Sequence, residues 1–287
     1  MKEVNRAVVF VHYDKDNLVD DYVYYYLREL KNNASNIVFV STASLSSQAI
    51  FALEKYCAKV IVRENKGHDF MSYKIGLDNL EYQKYDEVVI CNDSVYGPFY
   101  PLSTLFDTMK DTSCDFWGIT DNTDMSYHLQ SYFLVFNKSV LSHSCFSEFW
   151  AKVKILNDKE EIIEKYEVGL TQFFQKEGFT ATAYIDFQAT KVQRLMSILK
   201  KFSPHKIFNK ITAILKKEYT LKRIGKLNAT LYFWEELIIK HKMPFIKIKL
   251  LRDNPNNIDI DKVEEVLTHI STYDTNLIKN HLTRMEV

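Results

Sequence analysis

The stretch AVVFVH at residues 7–12 is a continuous run of apolar, β-forming residues that leads into a polar loop. Such a run is typical of a strand buried on both faces of a parallel sheet. Similar runs follow at residues 36–41 (NIVFVS), 59–63 (KVIVR) and 87–91 (EVVIC), and segments with helical apolar spacing lie between them at residues 18–30, 46–57 and 69–80. This alternation predicts an α/β fold whose parallel strands are joined by right-handed crossovers.

After residue 91 the pattern becomes irregular. Residues 116–119 and 129–136 are predicted strands without a full helix between them, so we expect an antiparallel addition to the sheet. Helices are predicted at 146–156, 166–176, 229–241 and 260–282 (one or two). A last short strand is predicted at 180–184, and an edge strand or extended segment at 244–251. The prediction is a Rossmann-type mixed sheet flanked by helices in residues 1–190, followed by a basic, mainly helical region in residues 191–287.

Charge is unevenly distributed, although the formal net charge of the chain is zero. Residues 191–226 contain eleven Lys or Arg and one acidic residue, Glu218, which gives this segment a net charge of +10. Ile, Leu and Phe are interleaved with the cations, a pattern that favours contact with an anionic membrane surface. The alternatives are a solvated basic helix or one that binds the acidic remainder of the chain. No recognised nucleic-acid module accompanies the segment, so we expect no nucleic-acid partner.

The cysteines and the hydropathy pattern favour a cytoplasmic protein. The four cysteines, Cys57, Cys91, Cys114 and Cys145, form no CxxC pair, and their wide spacing argues against a zinc site. The first residues show no signal-peptide pattern, and no run of about 20 apolar residues is present. With the basic segment, these observations predict a peripheral location at the inner face of the plasma membrane.

Polar residues follow the first predicted strand, where open α/β sheets bind their ligands. His12, Tyr13 and Asp14 form a loop without a glycine-rich phosphate cradle, which makes dinucleotide-binding and P-loop sites unlikely. An aromatic ring beside an acid is suited to hold a base and a ribose. A solvated turn with a capping Asp is the alternative.

The loop after the third strand is the densest polar stretch of the chain. It contains Arg63, Asn65, Lys66, Gly67 and Asp69. Arg63 and Lys66 are candidates to bind a diphosphate. Asp69 alone could be explained as the N-cap of the next helix, but that does not explain the whole run.

Asn92, Asp93 and Ser94 follow the fourth strand. A carboxylate at this position is well placed to hold a divalent cation through oxygen ligands, with a diphosphate completing the coordination. The alternative is an Asx-turn that closes the strand. We expect this loop to lie beside the one at residues 63–69.

Two later segments add candidates for an acceptor pocket and a base. Asp121, Asp124, His128 and Gln130 are candidate acceptor-binding residues. Glu167 is predicted near a helix N-terminus, where it could act as a helix-dipole partner or as a general base.

Several short motifs, in chain order, resemble the rhamnan synthesis protein F family. They are R-x-N-x-G-x-D-F-x-S-Y at residues 63–73, N-D-S-x-x-G-P at 92–98, DFWG at 115–118, HLQSYF at 128–133, YE at 166–167, WEELI at 234–238, PFIK at 244–247 and RDNP at 252–255. The resemblance covers about residues 7–255. It implies a GT-A-like glycosyltransferase linked to bacterial surface polysaccharide assembly.

The resemblance also implies roles for individual residues. Asp93 takes the place of the Asp-x-Asp motif that holds Mg²⁺ or Mn²⁺ and the donor diphosphate, and Glu167 takes that of the base. The sequence Asn92-Asp93-Ser94 departs from Asp-x-Asp, which leaves metal dependence open and keeps Arg63 or Lys66 as substitutes. The expected donor is a nucleotide-diphosphate sugar, with dTDP-rhamnose indicated by the family name, and the expected acceptor is a lipid-linked glycan.

Two other functions compete with glycosyl transfer. A non-catalytic sugar-binding partner in polysaccharide assembly, on the same fold, is favoured by the weak Asp-x-Asp character. An unrelated nucleotide-using enzyme such as a methyltransferase is disfavoured by the absence of a glycine-rich first loop.

Overall fold

The computed structural model describes residues 4–123, 125–186, 229–255 and 258–285. Its strands are β1 Arg6–His12, β2 Asn36–Ser41, β3 Lys59–Val62, β4 Glu87–Asn92, β5 Val95–Tyr96, β6 Phe116–Asn122, β7 His128–Leu129, β8 Phe133–Asn137, β9 Ala181–Ile185 and β10 Ile246–Lys247. The main sheet has the order β3-β2-β1-β4-β8-β6-β7, and β9 also pairs with β6.

The direction of the strands makes this a mixed sheet. β1 runs parallel to β2 and β4, β2 is parallel to β3, and β9 is parallel to β6. β8 lies antiparallel between β4 and β6, and β7 is antiparallel to β6. The predicted α/β fold with an antiparallel addition is therefore confirmed. The single strand predicted at 129–136 is wrong, because Leu129 pairs with Asp121 whereas Phe133 begins a separate strand opposite Cys91.

Helices cover both faces of the sheet. They are α1 Asp21–Lys31, α2 Ser47–Leu53, α3 His68–Asp78, α4 Leu102–Lys110, α5 Lys138–Leu141, α6 Ser144–Lys152, α7 Lys159–Ile162, α8 Gly169–Lys176, α9 Ala229–Tyr232, α10 Trp234–His241, α11 Ile248–Arg252, α12 Ile260–Ile270 and α13 Asn276–Arg284. The helix α4 was not predicted from the sequence, although its buried residues, Leu102, Leu105, Phe106 and Met109, have helical spacing. Within the described ranges, no helix combines the length and apolar character needed to cross a bilayer.

Two hydrophobic cores lie on opposite faces of the sheet. Val8 and Phe10 of β1 belong to one core, whereas Val9 and Val11 belong to the other. This alternation explains why residues 7–12 are apolar without interruption. Trp234, Phe245 and other residues of the C-terminal segment pack into the first core. The boundary near residue 190 stays a prediction, since residues 187–228 lie outside the described residues.

The C-terminal segment reaches the end of β4 through a small second sheet. β10 pairs antiparallel with β5, so that Ile246 lies opposite Tyr96 and Lys247 opposite Val95. The extended segment predicted at 244–251 is confirmed only for these two residues, since α11 begins at Ile248. Gly97 permits the contact, because a Cβ atom there would lie 2.3 Å from the carbonyl oxygen of Pro244.

Candidate active site at the strand ends

Asp93 lies directly beyond the carboxyl end of β4, as the sequence predicts. Its Oδ2 accepts a hydrogen bond of 2.8 Å from the backbone N–H of Tyr13, which follows β1. The carboxylate therefore ties two adjacent strand ends together. Burial, together with the nearby carboxylates of Asp69 and Asp14, raises the pKa of Asp93 well above its usual range.

His12 is buried beside Asp93 at the end of β1. Its Nε2 lies 3.9 Å from Asp93 Oδ2, and its Nδ1 shares a hydrogen bond of 2.9 Å with Ser41 Oγ. Burial lowers the pKa of His12 to about 4, so the ring is neutral at pH 7. The contact with Asp93 is therefore not an ion pair at neutral pH. The ring of Tyr13 is 53% exposed next to this pair.

Asn92 connects the loop after β4 to α3. Its Nδ2 donates to Asp69 Oδ2 at 2.9 Å, and its Oδ1 accepts from Ser94 Oγ at 2.6 Å. The backbone N–H of Ser94 also donates to Asn92 Oδ1 at 3.2 Å, so the predicted Asx-turn is present and Asn92 forms it. We call the region at the carboxyl ends of β1 and β4 that contains Asp69, Asp93, Glu167 and Lys247 the recess. The Asp69 side chain is partly exposed. Loss of hydration around its carboxyl group nevertheless raises the pKa of Asp69 above the usual value.

Glu167 lies in a π-helical turn, Ile163–Val168, between α7 and α8. The prediction that it sits near a helix N-terminus is wrong, because helical structure already begins at Lys159. Its Oε1 accepts a hydrogen bond of 3.3 Å from the backbone N–H of Ser131, whose carbonyl accepts one of 2.9 Å from Tyr73 Oη. π-Helical turns occur frequently at functional sites because they displace a side chain from the regular helical position.

Lys247 lies in the same recess, near Glu167 and Asp69, although no role for it was predicted from the sequence. Its ammonium lies 3.6 Å from the centre of the Tyr132 ring. Burial lowers the pKa of Lys247 to about 8, although the nearby carboxylates of Glu167 and Asp69 oppose this shift. The sequence signals were the PFIK motif at residues 244–247 and the position of Lys247 as one of two lysines in the otherwise apolar run PFIKIKLL at residues 244–251.

The predicted acceptor residues lie at the carboxyl end of β6 and in the segment that follows it, on the same edge of the sheet as the carboxyl end of β4. Asp121, His128 and Gln130 are all buried. His128 Nδ1 lies 2.8 Å from the carbonyl of Ser126, and Gln130 Oε1 accepts from Thr120 Oγ1 at 2.7 Å. Asp124 lies outside the described residues. Acceptor binding by this group stays a prediction.

The loop of residues 63–67 folds around the side chain of Arg63. The guanidinium donates to the carbonyls of Glu64, Lys66 and His68. Lys66 forms an exposed ion pair of 2.6 Å with Glu64, Asn65 is exposed, and Gly67 precedes α3 with a φ of 76°. Donor binding by these residues stays a prediction, and the hydrogen bonds show that Arg63 shapes the loop.

Asp14 lies beside the recess and is bound by a cation from the other end of the chain. Arg284 forms ion pairs with Asp14, Asp16 and Asp20. Of the described residues, one group of acidic and histidine side chains has ligand atoms within 4.8 Å of one another, and it consists of Asp14, Asp20 and His281. Since Arg284 already binds both carboxylates, this group does not fit a divalent cation. Asp93 is not part of this group.

Comparisons with known proteins give a family and several distant folds. The family model described as rhamnan synthesis protein F matches residues 37–230. Virulence protein VirA of Vibrio anguillarum is 30% identical over 293 residues, which covers 96% of this chain and 90% of that protein.

Solved structures match with low scores. The 4-diphosphocytidyl-2C-methyl-D-erythritol synthase of Anaerococcus prevotii has a TM-score of 0.42 and 11% identity, covering 75% of this chain and 100% of that chain. A putative nucleotide-diphospho-sugar transferase of Desulfovibrio desulfuricans has a TM-score of 0.38 and 11% identity, covering 79% and 100%.

Proposed function

Since the chain belongs to the rhamnan synthesis protein F family, we propose that it is a glycosyltransferase of bacterial surface polysaccharide or lipopolysaccharide synthesis. The donor is a nucleotide-diphosphate sugar, with dTDP-rhamnose as the first candidate, and the acceptor is a lipid-linked glycan. The family membership supports the polysaccharide context. The recess at the carboxyl ends of β1 and β4 supports the chemistry.

The observation that carries the proposal is the position of Glu167. Its carboxylate is fixed by the N–H of Ser131 and lies near both Asp69 and Lys247, in the recess that Asp93 lines. A carboxylate held by a backbone donor at the edge of a ligand recess is suited to accept a proton from a sugar hydroxyl. The recess also has exposed aromatic surface at Tyr13, which suits a nucleobase.

The proposed reaction uses Glu167 as the general base. Glu167 removes the proton of an acceptor hydroxyl while the hydroxyl oxygen attacks the anomeric carbon of the donor. The bond between that carbon and the diphosphate oxygen breaks, and its electron pair remains on the diphosphate. Positive charge and hydrogen-bond donors around the leaving group stabilise the charge that develops there.

Substitution of Glu167 by Gln tests this assignment. We expect kcat for sugar transfer to fall by about 10²- to 10⁴-fold, because general base catalysis contributes that much. The affinity for the nucleotide-diphosphate sugar should change little. The matched control is Glu164→Gln, since Glu164 is an exposed residue of the same π-helical turn. Near-normal turnover of the Glu167→Gln variant would remove the base from the proposal.

A thermal-shift panel of nucleoside diphosphates and nucleotide sugars identifies the donor class. A ligand that binds the native state raises the melting temperature by mass action. If none of them shifts the melting temperature of the folded protein while glycans do, the protein is a non-catalytic sugar-binding partner. The panel with and without Mg²⁺ or Mn²⁺ also tests metal dependence.

Membrane contact through residues 191–226 is part of the proposal. The segment lies outside the described residues, and its support is the net charge of +10 with interleaved apolar residues. Each Lys or Arg near an anionic leaflet contributes about 1 kcal/mol of attraction. Sedimentation of the protein with phosphatidylserine vesicles, but not with phosphatidylcholine vesicles, is the expected result.

A further inference from the structure

We propose that Lys247 is the diphosphate-binding cation of the recess and takes the place of a metal ion there. The inference rests on the proposed function, since it concerns the same site, and it names the group that meets the charge of the leaving diphosphate. Lys247 was not among the residues that the sequence pattern indicated for this role.

The backbone holds Lys247 in place next to the loop that carries Asp93. Lys247 lies opposite Val95 in the antiparallel pair of β10 and β5, two residues after Asp93. The next residue, Ile248, donates its N–H to the carbonyl of Ser94 at 3.0 Å. This pairing fixes the Cα of Lys247 at the end of β4, where open α/β sheets bind their ligands.

The Lys247 side chain is held in one orientation by an aromatic ring, and its N–H groups stay available to a ligand. The ammonium rests on the face of Tyr132, whose phenol stays neutral because burial raises its pKa. Within the described part of the chain, Lys247 forms no hydrogen bond or ion pair with another side chain. A cation–π contact positions an ammonium while leaving its N–H groups available to phosphate oxygens.

Lys247 is a positive charge among acidic side chains, which stabilise its charged form. Asp69 and Glu167 act on Lys247 from α3 and from the π-helical turn, and Asp93 lies across the recess. These acidic side chains disfavour a diphosphate, and the ammonium of Lys247 offsets part of that repulsion. The other candidates are less suitable, since Arg63 is bound to carbonyls of its own loop and Lys66 pairs with Glu64.

Inorganic pyrophosphate is the probe, and isothermal titration calorimetry in EDTA measures its dissociation constant. We expect the full-length protein to bind pyrophosphate without metal. Lys247→Met should weaken binding by about tenfold to hundredfold, because it removes a charge-assisted bond but keeps most of the side-chain volume. Lys247→Arg should stay within about threefold of the wild type, because a guanidinium keeps the charge and can also rest on an aromatic ring. Lys249→Met is the control, since Lys249 is exposed on α11.

The pH dependence provides a readout that a merely structural lysine would not change. The pKa of Lys247 is about 8, and Asp69, Glu167 and Tyr132 are the titratable groups that face it. Affinity for pyrophosphate should therefore decrease above about pH 8 in the wild type, as the ammonium loses its proton. The same decrease should be absent from Lys247→Arg.

Three results would overturn the inference: equal affinity of Lys247→Met and the wild type, binding that requires Mg²⁺ or Mn²⁺, or no binding in EDTA. Sugar transfer by the wild type is measured separately. If pyrophosphate binds through Lys247 but no nucleotide sugar is turned over, the glycosyltransferase proposal fails and the anion site stands. If transfer occurs and Lys247→Met retains kcat/KM and pyrophosphate affinity, the inference about Lys247 fails alone.

Discussion

At the scale of single residues, His12 shows how a site residue is fixed in one protonation state. The ring is buried between Ser41 and Asp93, and burial lowers its pKa to about 4. The unfolded chain takes up this proton near pH 6.5, so between pH 6.5 and pH 4 the unfolded state binds more protons than the folded state. Folding stability must therefore fall as the pH falls through this window.

We expect His12 to account for a loss of about 2 kcal/mol in the free energy of unfolding between pH 7 and pH 5. Urea unfolding at both pH values measures it, with His12→Asn as the comparison, because Asn can retain a polar atom near the position of Nδ1. The variant should lose about 2 kcal/mol less than the wild type over the same range. Parallel losses in both proteins would contradict a buried neutral imidazole.

At the scale of elements, the close approach of α3 to the sheet places Asp69 at the strand ends. α3 lies so near β1 that a Cβ atom on Gly76 would be 2.2 Å from Val9 Cγ1 and 3.2 Å from Val40 Cγ2. Val9 is a β-branched residue in a central strand and has little freedom to move. The helix α3 can therefore pack this closely against β1 only with glycine at position 76.

The variant Gly76→Ala should lower the free energy of unfolding by about 1–3 kcal/mol through overpacking, although Ala favours helix formation. Gly169→Ala in α8 is the matched control, since its Cβ would lie 3.4 Å from the carbonyl oxygen of Glu164. That control should be neutral or stabilising by up to about 1 kcal/mol. Equilibrium urea unfolding distinguishes the two, and an equally stable Gly76→Ala would show that α3 can shift outward.

At the scale of the whole molecule, the last described helix binds the loop that follows β1. Arg284 of α13 donates to Asp16 and Asp20 at 2.7 and 2.6 Å and also pairs with Asp14. Asp14 in turn accepts hydrogen bonds from the backbone N–H groups of Asp16 and Leu18. The conformation of residues 14–20 therefore depends on a residue more than 260 positions away.

The substitution Arg284→Gln removes these ion pairs and should lower the free energy of unfolding by about 2–4 kcal/mol, because it leaves the largely buried carboxylate of Asp14 without its cation. Hydrogen exchange of the Asp16 and Leu18 amides should accelerate more than that of the amides in β2. Arg252→Gln is the control, since Arg252 pairs with Asp253 at the surface; it should cost less than about 1 kcal/mol. Unchanged exchange rates in residues 14–20 would show that hydrogen bonds within the loop are enough to keep its conformation.

The sequence by itself determined the elements whose apolar pattern is local and unbroken. The four runs at residues 7–12, 36–41, 59–63 and 87–91 could be identified because strands buried on both faces need apolar residues at every position. Their carboxyl ends then indicated Asp93 and Asp69 as neighbours, because parallel strands bring those ends to one edge. Two of the motifs that carry the family resemblance, at residues 63–73 and 92–98, lie in these loops.

Only the tertiary structure decided which charges meet at that edge. Lys247 reaches the recess because β10 pairs with β5, and Arg284 reaches Asp14 because α13 packs against α1. Neither pairing leaves a periodic signal, since each depends on contacts between segments far apart in the chain. The role of Arg63 within its loop also became visible only in the structure, where its guanidinium donates to carbonyls of that loop. Side-chain function here depends on long-range packing, which a local pattern does not encode.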